Sequence, residues 1–347
     1  MKAPRFRTGD PELDAQIAAL VDRVDGTVHD DLVFEMIASA LLLDRDKADR
    51  GDLKIASAAI QELRHAFATF GPFRHVRKVG IFGSARTHPD DPLYRQTVCF
   101  AEAMARQDWM VITGAGPGIM EAGIEGAGAD NAFGVAIRLP FESPTTQFVA
   151  DDPKLMRFRY FFTRKVTFLK ESHAFALLPG GFGTMDEAFE LLTLVQTGKA
   201  PPAPIVLLDV PGGTYWSTWR DFVQREVLDR GYVSPHDLCF VRVTDDVDEA
   251  VDEIVGFYSN YQSQRFVGGR LVLRMRRAPR DDELAAINRD FADICVRGEI
   301  EQIAPTSAEV ADGDALDLER LRVPFDRRSY ARLRQLIDRV NGRSPLG

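Results

Sequence analysis

Residues 174–195 read AFALLPGGFGTMDEAFELLTLV. An apolar run of strand length, Ala174 to Leu178, is stopped by Pro179-Gly180-Gly181. Gly183 and Thr184 then lead into a segment with apolar residues at Ala188, Leu191, Leu192 and Val195, which is the helical period. The pattern predicts a strand, a glycine turn and a helix. In an open parallel sheet such a turn lies at the carboxyl end of its strand, where the first helical turn offers unpaired N–H groups to an anion. Glycines at Gly180, Gly181 and Gly183 let an oxyanion approach the backbone, and the Thr184 hydroxyl adds a donor. The stretch therefore reads as a phosphate cradle. Asp186 and Glu187 beside it would repel a phosphate unless they serve another part of the ligand. Thr184-x-x-Glu187 is also the spacing of a capping box, in which the Glu side chain would return to the Thr backbone.

From Val76 onward, strand-like runs alternate with helical ones, the signature of a doubly wound parallel sheet. Val79 to Phe82 ends in Gly83-Ser84-Ala85-Arg86, Met110 to Thr113 ends in Gly114-Ala115-Gly116-Pro117-Gly118, and Phe133 to Leu139 and Pro204 to Leu208 complete the predicted strands. Helices are predicted near Tyr94 to Arg106, Gly118 to Ala129, Tyr160 to Lys170, Tyr215 to Leu228 and Val247 to Tyr258. The predicted fold is α/β, a Rossmann-like core over about residues 75–262. An N-terminal helical extension precedes it at 1–74, and a small C-terminal α/β appendage follows at 263–347. In the extension the apolar faces run through Ile17, Leu20, Val21 and Val24, then Leu32, Val33, Met36, Ile37 and Leu41, then Ile60, Leu63 and Phe67, with a polar break over Asp44 to Asp52. In the appendage a strand (Leu271 to Leu273), helices over Glu283 to Ile294 and Tyr330 to Val340, two short extended pieces and a loop around Ala304 to Gly313 are expected.

Several function classes drop out. Ile119 and Asp186 stand where G-x-G-x-x-G needs its third glycine, and no G-x-x-x-x-G-K-[ST] occurs, so a dinucleotide and a Walker-type nucleotide site are disfavoured. Short, separate glycine turns suit a mononucleotide with one phosphate. A net charge of −9 leaves no chain-wide basic surface for nucleic acid. Cys99, Cys239 and Cys295 are scattered thiols, no apolar run reaches the length of a membrane span, and Met1 to Asp10 lacks a secretory core, which together predict a cytoplasmic, membrane-free protein. The six histidines, His29, His65, His75, His88, His173 and His236, form no H-x-x-x-H pair, so no metal is expected. His173 reads as structural.

Between Lys154 and Lys170, basic residues concentrate in an acidic chain. Lys154 and Lys170 read as a solvated face. Arg164-Lys165 interrupts the aromatic run Tyr160, Phe161, Phe162 and Phe168, so at least one of the pair should enter a partly apolar site and need an anionic or polar partner there.

With PGGxGTxxE at residues 179–187 and an Arg-Lys pair upstream, the core resembles the LOG (Lonely Guy) family, whose members cleave the N-glycosidic bond of nucleoside 5′-monophosphates and were often mislabelled lysine decarboxylases. The resemblance implies that Arg164 and Glu187 are the catalytic pair and that Lys165 is among the residues that bind the substrate. It implies that Gly180, Gly181, Gly183 and Thr184 grip the phosphate, and that Gly83, Ser84, Gly114, Gly116, Gly118 and Met120 form the other nucleotide turns. Glu142 in Pro140-Phe141-Glu142 would contact the nucleotide. No cofactor is implied, and a homodimer or higher homo-oligomer is. Plant-type members carry Met three residues before the Arg, where this chain has Phe161, so an AMP-like substrate is expected rather than a prenylated one. The rival readings are a mononucleotide sensor or carrier without turnover and a pyridoxal-dependent lysine decarboxylase, for which Lys165 would be the candidate Schiff-base lysine.

Overall fold

A computed structural model of the chain describes residues 4–24, 29–138 and 152–344. Its contacts divide it into two compact units, Met1–His65 and Ala66–Gly347. In the first, α1 (Pro11–Asp22) is started by Asp10, whose carboxylate accepts from the Glu12 and Leu13 N–H groups, with Pro11 in the first turn. It packs on α2 (Asp30–Arg45) through Ile17, Val21, Phe34 and Ala38. The buried face of α2 is thus centred on Phe34 and Ala38, whereas Leu32, Met36 and Leu41 of the predicted face are exposed. Leu20 of α1 and Val24 just beyond it are exposed as well. The third helix, α3 (Arg50–Phe70), carries the boundary between the units.

The second unit holds a seven-stranded parallel sheet. Its strands are β1 (Lys78–Phe82), β2 (Met110–Thr113), β3 (Ala132–Ile137), β4 (Leu155–Phe158), β5 (Ala174–Leu177), β6 (Ile205–Leu208) and β7 (Val241–Thr244), in the order β4-β3-β2-β1-β5-β6-β7. The helices between them are α4 (Pro92–Arg106), α5 (Ile119–Ala127), α6 (Phe161–Glu171), α7 (Phe182–Gln196), α8 (Tyr215–Phe222), continued by a π-helical turn Val223–Leu228, and α9 (Val247–Phe257). Every residue of β1, β2, β5 and β6 is buried, as expected for strands covered on both faces. The two strands not predicted, β4 and β7, are the sheet edges. Arg157 in one and Arg242 in the other break up the apolar run on which a strand prediction depends.

The chain lays β1 to β4 outward in one direction, then returns to place β5 on the other side of β1. The reversal between β1 and β5 opens a crevice at their carboxyl ends, where ligands bind in folds of this kind.

A four-stranded antiparallel sheet follows, β8 (Tyr261–Val267), β9 (Arg270–Met275), β10 (Glu301–Ile303) and β11 (Glu319–Val323), in the order β10-β11-β9-β8. It is accompanied by α10 (Asp281–Asp290), α11 (Ser307–Asp312) and α12 (Tyr330–Val340). Leu271, Leu273, Met275, Leu321 and Val323 belong to the same hydrophobic core as the parallel sheet. The loop predicted over Ala304 to Gly313 instead contains α11. Thr306 and Glu309 form a capping box there, and Glu309 is held deeper by two buried arginines. Arg274 and Arg320 face each other across β9 and β11. Their Nε atoms donate to the two oxygens of Glu309 at 2.8 and 3.2 Å. Lys154, predicted to be solvated, is instead largely buried and paired with Asp152 at 2.9 Å.

Removing Glu309 takes the carboxylate from Arg320 and leaves Arg274, which faces it, with Asp314 alone. Glu309→Ala is therefore expected to cost about 3–5 kcal/mol in denaturant unfolding, and Glu309→Gln less. A loss for the alanine variant no larger than that of an ordinary surface substitution, about 0.5 kcal/mol, contradicts this account of the C-terminal sheet.

Candidate active site

The predicted glycine turns follow three neighbouring strands, β2, β1 and β5, and converge on the crevice. The turn after β1 is tied to the turn after β5 by the Ser84 N–H donating to Pro179 O at 3.2 Å, and to the start of α5 by the Ile119 N–H donating to Ser84 O at 3.0 Å. Gly118 has φ +69°, and a Cβ there would lie 2.4 Å from Ser84 O, so both conformation and space demand glycine. A Cβ on Gly83 would strike the Ile119 side chain at 2.6 Å, and one on Gly116 the Met120 side chain at 2.7 Å. These glycines serve close packing between the turns.

Arg164 stands on α6 and Glu187 on α7, and both are buried. An Arg164 Nη donates to Glu187 Oε1 at 3.3 Å, and Arg164 Nε donates to Val135 O on β3 at 2.9 Å. The guanidinium lies 4.9 Å from the centre of the Phe168 ring. A Cβ on Gly114 would lie 2.9 Å from its other Nη and 2.5 Å from Met120 Sδ, so Gly114 makes room for both side chains. Burial raises the Glu187 pKa, against the lowering charges of Arg164 and Lys165, and burial also lowers that of Arg164 against the opposing pull of Glu187. The pair is costly to bury and is retained by mutual contact.

Capping does not explain Glu187. The N-cap of α7 is Gly181, which places Thr184 inside the first turn. The Glu187 carboxylate goes to Arg164 and Lys165, one helical turn beyond Thr184 and on the same buried face.

Lys165 turns to carboxylates. Its Nζ lies 2.6 Å from Glu190, 2.9 Å from Asp186 and 3.3 Å from Glu187. Burial opposes its charge, yet the bonds to Glu190 and Asp186 and the charge of Glu187 outweigh it and hold its pKa above the ordinary lysine value. Asp186, expected to serve the ligand, is mostly exposed and matched by Lys165 instead. Asp186 and Glu190 lie one turn apart on α7 and flank Glu187, and all three carboxylates meet Lys165 from across the α6–α7 contact.

The turn after β5 has a closed side and an open side. A Cβ on Gly180 would lie 2.1 Å from Thr184 Oγ1 and 2.9 Å from the Ser84 nitrogen, whereas one on Gly181 or Gly183 would meet nothing within 4 Å. None of the three has positive φ. Neither conformation nor packing explains glycine at 181 and 183, and the space before them is free for an approaching group. Among the described residues the N–H groups of Gly181, Phe182 and Gly183 find no acceptor, the condition for anion binding at a helix start.

The structure thus brings together Gly83, Ser84, Gly114, Gly116, Gly118, Met120, Arg164, Gly180, Gly181, Gly183, Thr184 and Glu187, with Lys165 at the margin. Glu142 lies outside the described residues. Val135, whose carbonyl holds Arg164, and Tyr215, whose hydroxyl donates to Gly180 O at 2.5 Å, carry no sequence signal linking them to the turns. His173 is structural: its Nδ1 accepts from the Lys78 N–H at 3.2 Å, and burial beside Arg77 and Lys78 pushes its pKa down to about 3. Among the described residues no group of three or more His, Cys, Asp or Glu side chains is placed to hold a metal ion.

A family model described as "Possible lysine decarboxylase" matches residues 117–254. The cytokinin riboside 5′-monophosphate phosphoribohydrolase LOG1 of Arabidopsis thaliana is 39% identical over 72 residues, 21% of this chain and 32% of that protein. The probable phosphoribohydrolase of the same type LOGL9 of Oryza sativa subsp. japonica is 37% identical over 83 residues, 24% of this chain and 35% of its own length. The matches span about a third of the length of these curated relatives. Among solved structures, a molybdenum cofactor binding protein from Rippkaea orientalis aligns at 17% identity with a TM-score of 0.36, covering 51% of this chain and 94% of that one. The fold assignment itself rests on the strand pairing described above.

Gly180→Ala is expected to destabilise by about 1–3 kcal/mol, because the methyl overlaps Thr184 Oγ1, and Gly181→Ala by no more than about 0.5 kcal/mol. Thermal unfolding of the two variants separates the closed side of the turn from the open one. Equal losses would show that Gly181 is also held by packing.

Proposed function

We propose that the chain is a LOG-type enzyme and hydrolyses the N-glycosidic bond of nucleoside 5′-monophosphates, AMP-like ones first, to free base and ribose 5-phosphate. The observation that carries this is the buried Arg164–Glu187 pair, one helical turn from a glycine turn whose open side faces unpaired N–H groups. A phosphate on Gly181, Gly183 and Thr184 puts the ribose near Glu187.

Cleavage of the ribosyl C–N bond develops positive charge at C1′. The Glu187 carboxylate stabilises that charge and orients the attacking water, whose oxygen forms the new bond to C1′ while the base leaves with a proton. Arg164 keeps Glu187 ionised and fixed in direction. Lys165 binds Glu187 from the other side and is itself held by Asp186 and Glu190. A Schiff-base lysine needs a readily available neutral amine, and three carboxylates hold Lys165 in its charged form. That disfavours decarboxylation, despite the description attached to the matching family model.

Partnership with a second copy fits the surface. Phe182, Met185 and Phe189 line a shallow depression of about 590 Å³, and Phe161, Phe162 and Val166 on α6 are exposed. Apolar patches of this kind mark interfaces. Light scattering is expected to give at least a dimer, and Phe189→Glu to lower the mass. A monomeric wild-type protein contradicts it.

Purified protein incubated with AMP, GMP, CMP, UMP and an isopentenyladenosine monophosphate should release free base and ribose 5-phosphate, AMP being preferred over the prenylated nucleotide. Glu187→Ala is expected to retain nucleotide binding and lose about 10²–10⁴-fold in kcat. Since the ionised carboxylate is the working form and burial raises its pKa, activity falls as pH drops through a value above the ordinary glutamate range. Nucleotides left intact while calorimetry still detects binding would turn the assignment to a sensor or carrier.

A further inference from the structure

The peptide joining Gly180 to Gly181 has a glycine on each side, so no Cβ resists its rotation. In one orientation it aims the Gly181 N–H at the open space before the turn. In the flipped orientation it would aim the Gly180 carbonyl there, and a carbonyl oxygen repels an anion. Something must choose between them.

The choice is made from α8. Tyr215 Oη donates to Gly180 O at 2.5 Å. A trans peptide is planar, with its C=O and N–H pointing in opposite directions, so fixing the carbonyl on one side fixes the N–H on the other. The preceding peptide is fixed in the same way, because Pro179 O accepts from the Ser84 N–H. Tyr215 is itself held. Its own N–H donates to Oδ2 of Asp209 at 3.0 Å, and Oδ1 of Asp209 accepts from the Val210 N–H at 2.9 Å. Asp209 is buried at the carboxyl end of β6. A Cβ on Gly213 would overlap its carboxylate at 2.3 Å, so the turn between Asp209 and Tyr215 closes tightly around that carboxylate. The ring of Tyr215 packs edge-on against Trp216 with centroids 4.9 Å apart, an interaction that Phe would preserve.

We propose that Tyr215 is a positioning residue for anion binding: its phenol, anchored through Asp209, selects the orientation of the Gly180–Gly181 peptide that presents the Gly181 N–H to a phosphate monoester. The proposal rests on the phosphate cradle of the preceding subsection and adds the device that sets the cradle's polarity.

The test is calorimetry with ribose 5-phosphate and with inorganic phosphate on the full chain, for wild type, Tyr215→Phe and Asp209→Asn, alongside AMP hydrolysis and thermal unfolding. Tyr215→Phe is expected to raise the Kd for ribose 5-phosphate about tenfold. KM for AMP should rise with it, while kcat changes less and the unfolding temperature stays near wild type. Asp209→Asn should shift the same constants in the same direction, more weakly. A Kd for Tyr215→Phe within about twofold of wild type overturns the proposal. So does a loss of kcat and of thermal stability at unchanged KM, which would make Tyr215 a packing residue only. A wild-type protein that binds ribose 5-phosphate but leaves AMP intact overturns the hydrolase reading alone, and the comparison of variants still decides the role of Tyr215. A wild-type protein that binds neither probe overturns the cradle and this proposal together.

Discussion

Two opposite charges are buried at the carboxyl edge of the parallel sheet, and much of the surrounding architecture makes them tolerable. Arg164 is desolvated on α6, so it needs Glu187, the Val135 carbonyl and the face of Phe168. Glu187 is desolvated on α7, so it needs Arg164 and Lys165. Gly114 is small because Met120 and Arg164 press against it. A hydrophobic pair would fill this volume at lower cost. The retained charge therefore reads as chemistry rather than stability, and perturbed ionisable groups in a crevice are the usual mark of such a site.

Much of this was legible in residue order because central parallel strands announce themselves. Continuous apolar runs at β1, β2, β5 and β6 stand out between glycine turns, and those turns mark the ligand edge. Edge strands do not announce themselves: β4 and β7 each carry an arginine and only part of the apolar pattern. In α2 the helical period was visible but its phase was not, since several apolar residues line more than one face and packing on α1 selected Phe34 and Ala38. The same limit applied to α11, where turn-like composition concealed a capping box whose glutamate also neutralises two facing arginines.

In the candidate site, side chains separated by a fixed number of residues could be read and those separated only in space could not. Thr184 and Glu187 lie on one helix, so their shared face follows from the helical period. Whether Glu187 turned back to cap that helix or outward to Arg164 depended on where α7 begins, and its start at Gly181 decided it. The Lys165 cluster joins α6 to α7 through three carboxylates, and Tyr215 reaches the glycine turn from beyond β6. No spacing encodes such contacts.

The helix that carries Thr184 and Glu187 is braced at its other end. Gly198, just beyond α7, has φ +68°, and the Tyr330 ring of α12 occupies the place its Cβ would take, at 1.8 Å. The same helix is locked to α9 by the buried contact of Arg334 with Glu253, and to the segment before β7 by Cys239 Sγ meeting Ala331 O. During synthesis α7 leaves the ribosome long before α12 exists, and proteins of this size gain packing in stages as later segments arrive. The nascent chain thus carries every residue of the glycine turns and the charged pair well before the support behind them, and full rigidity of the site comes only once residues 330–340 have docked.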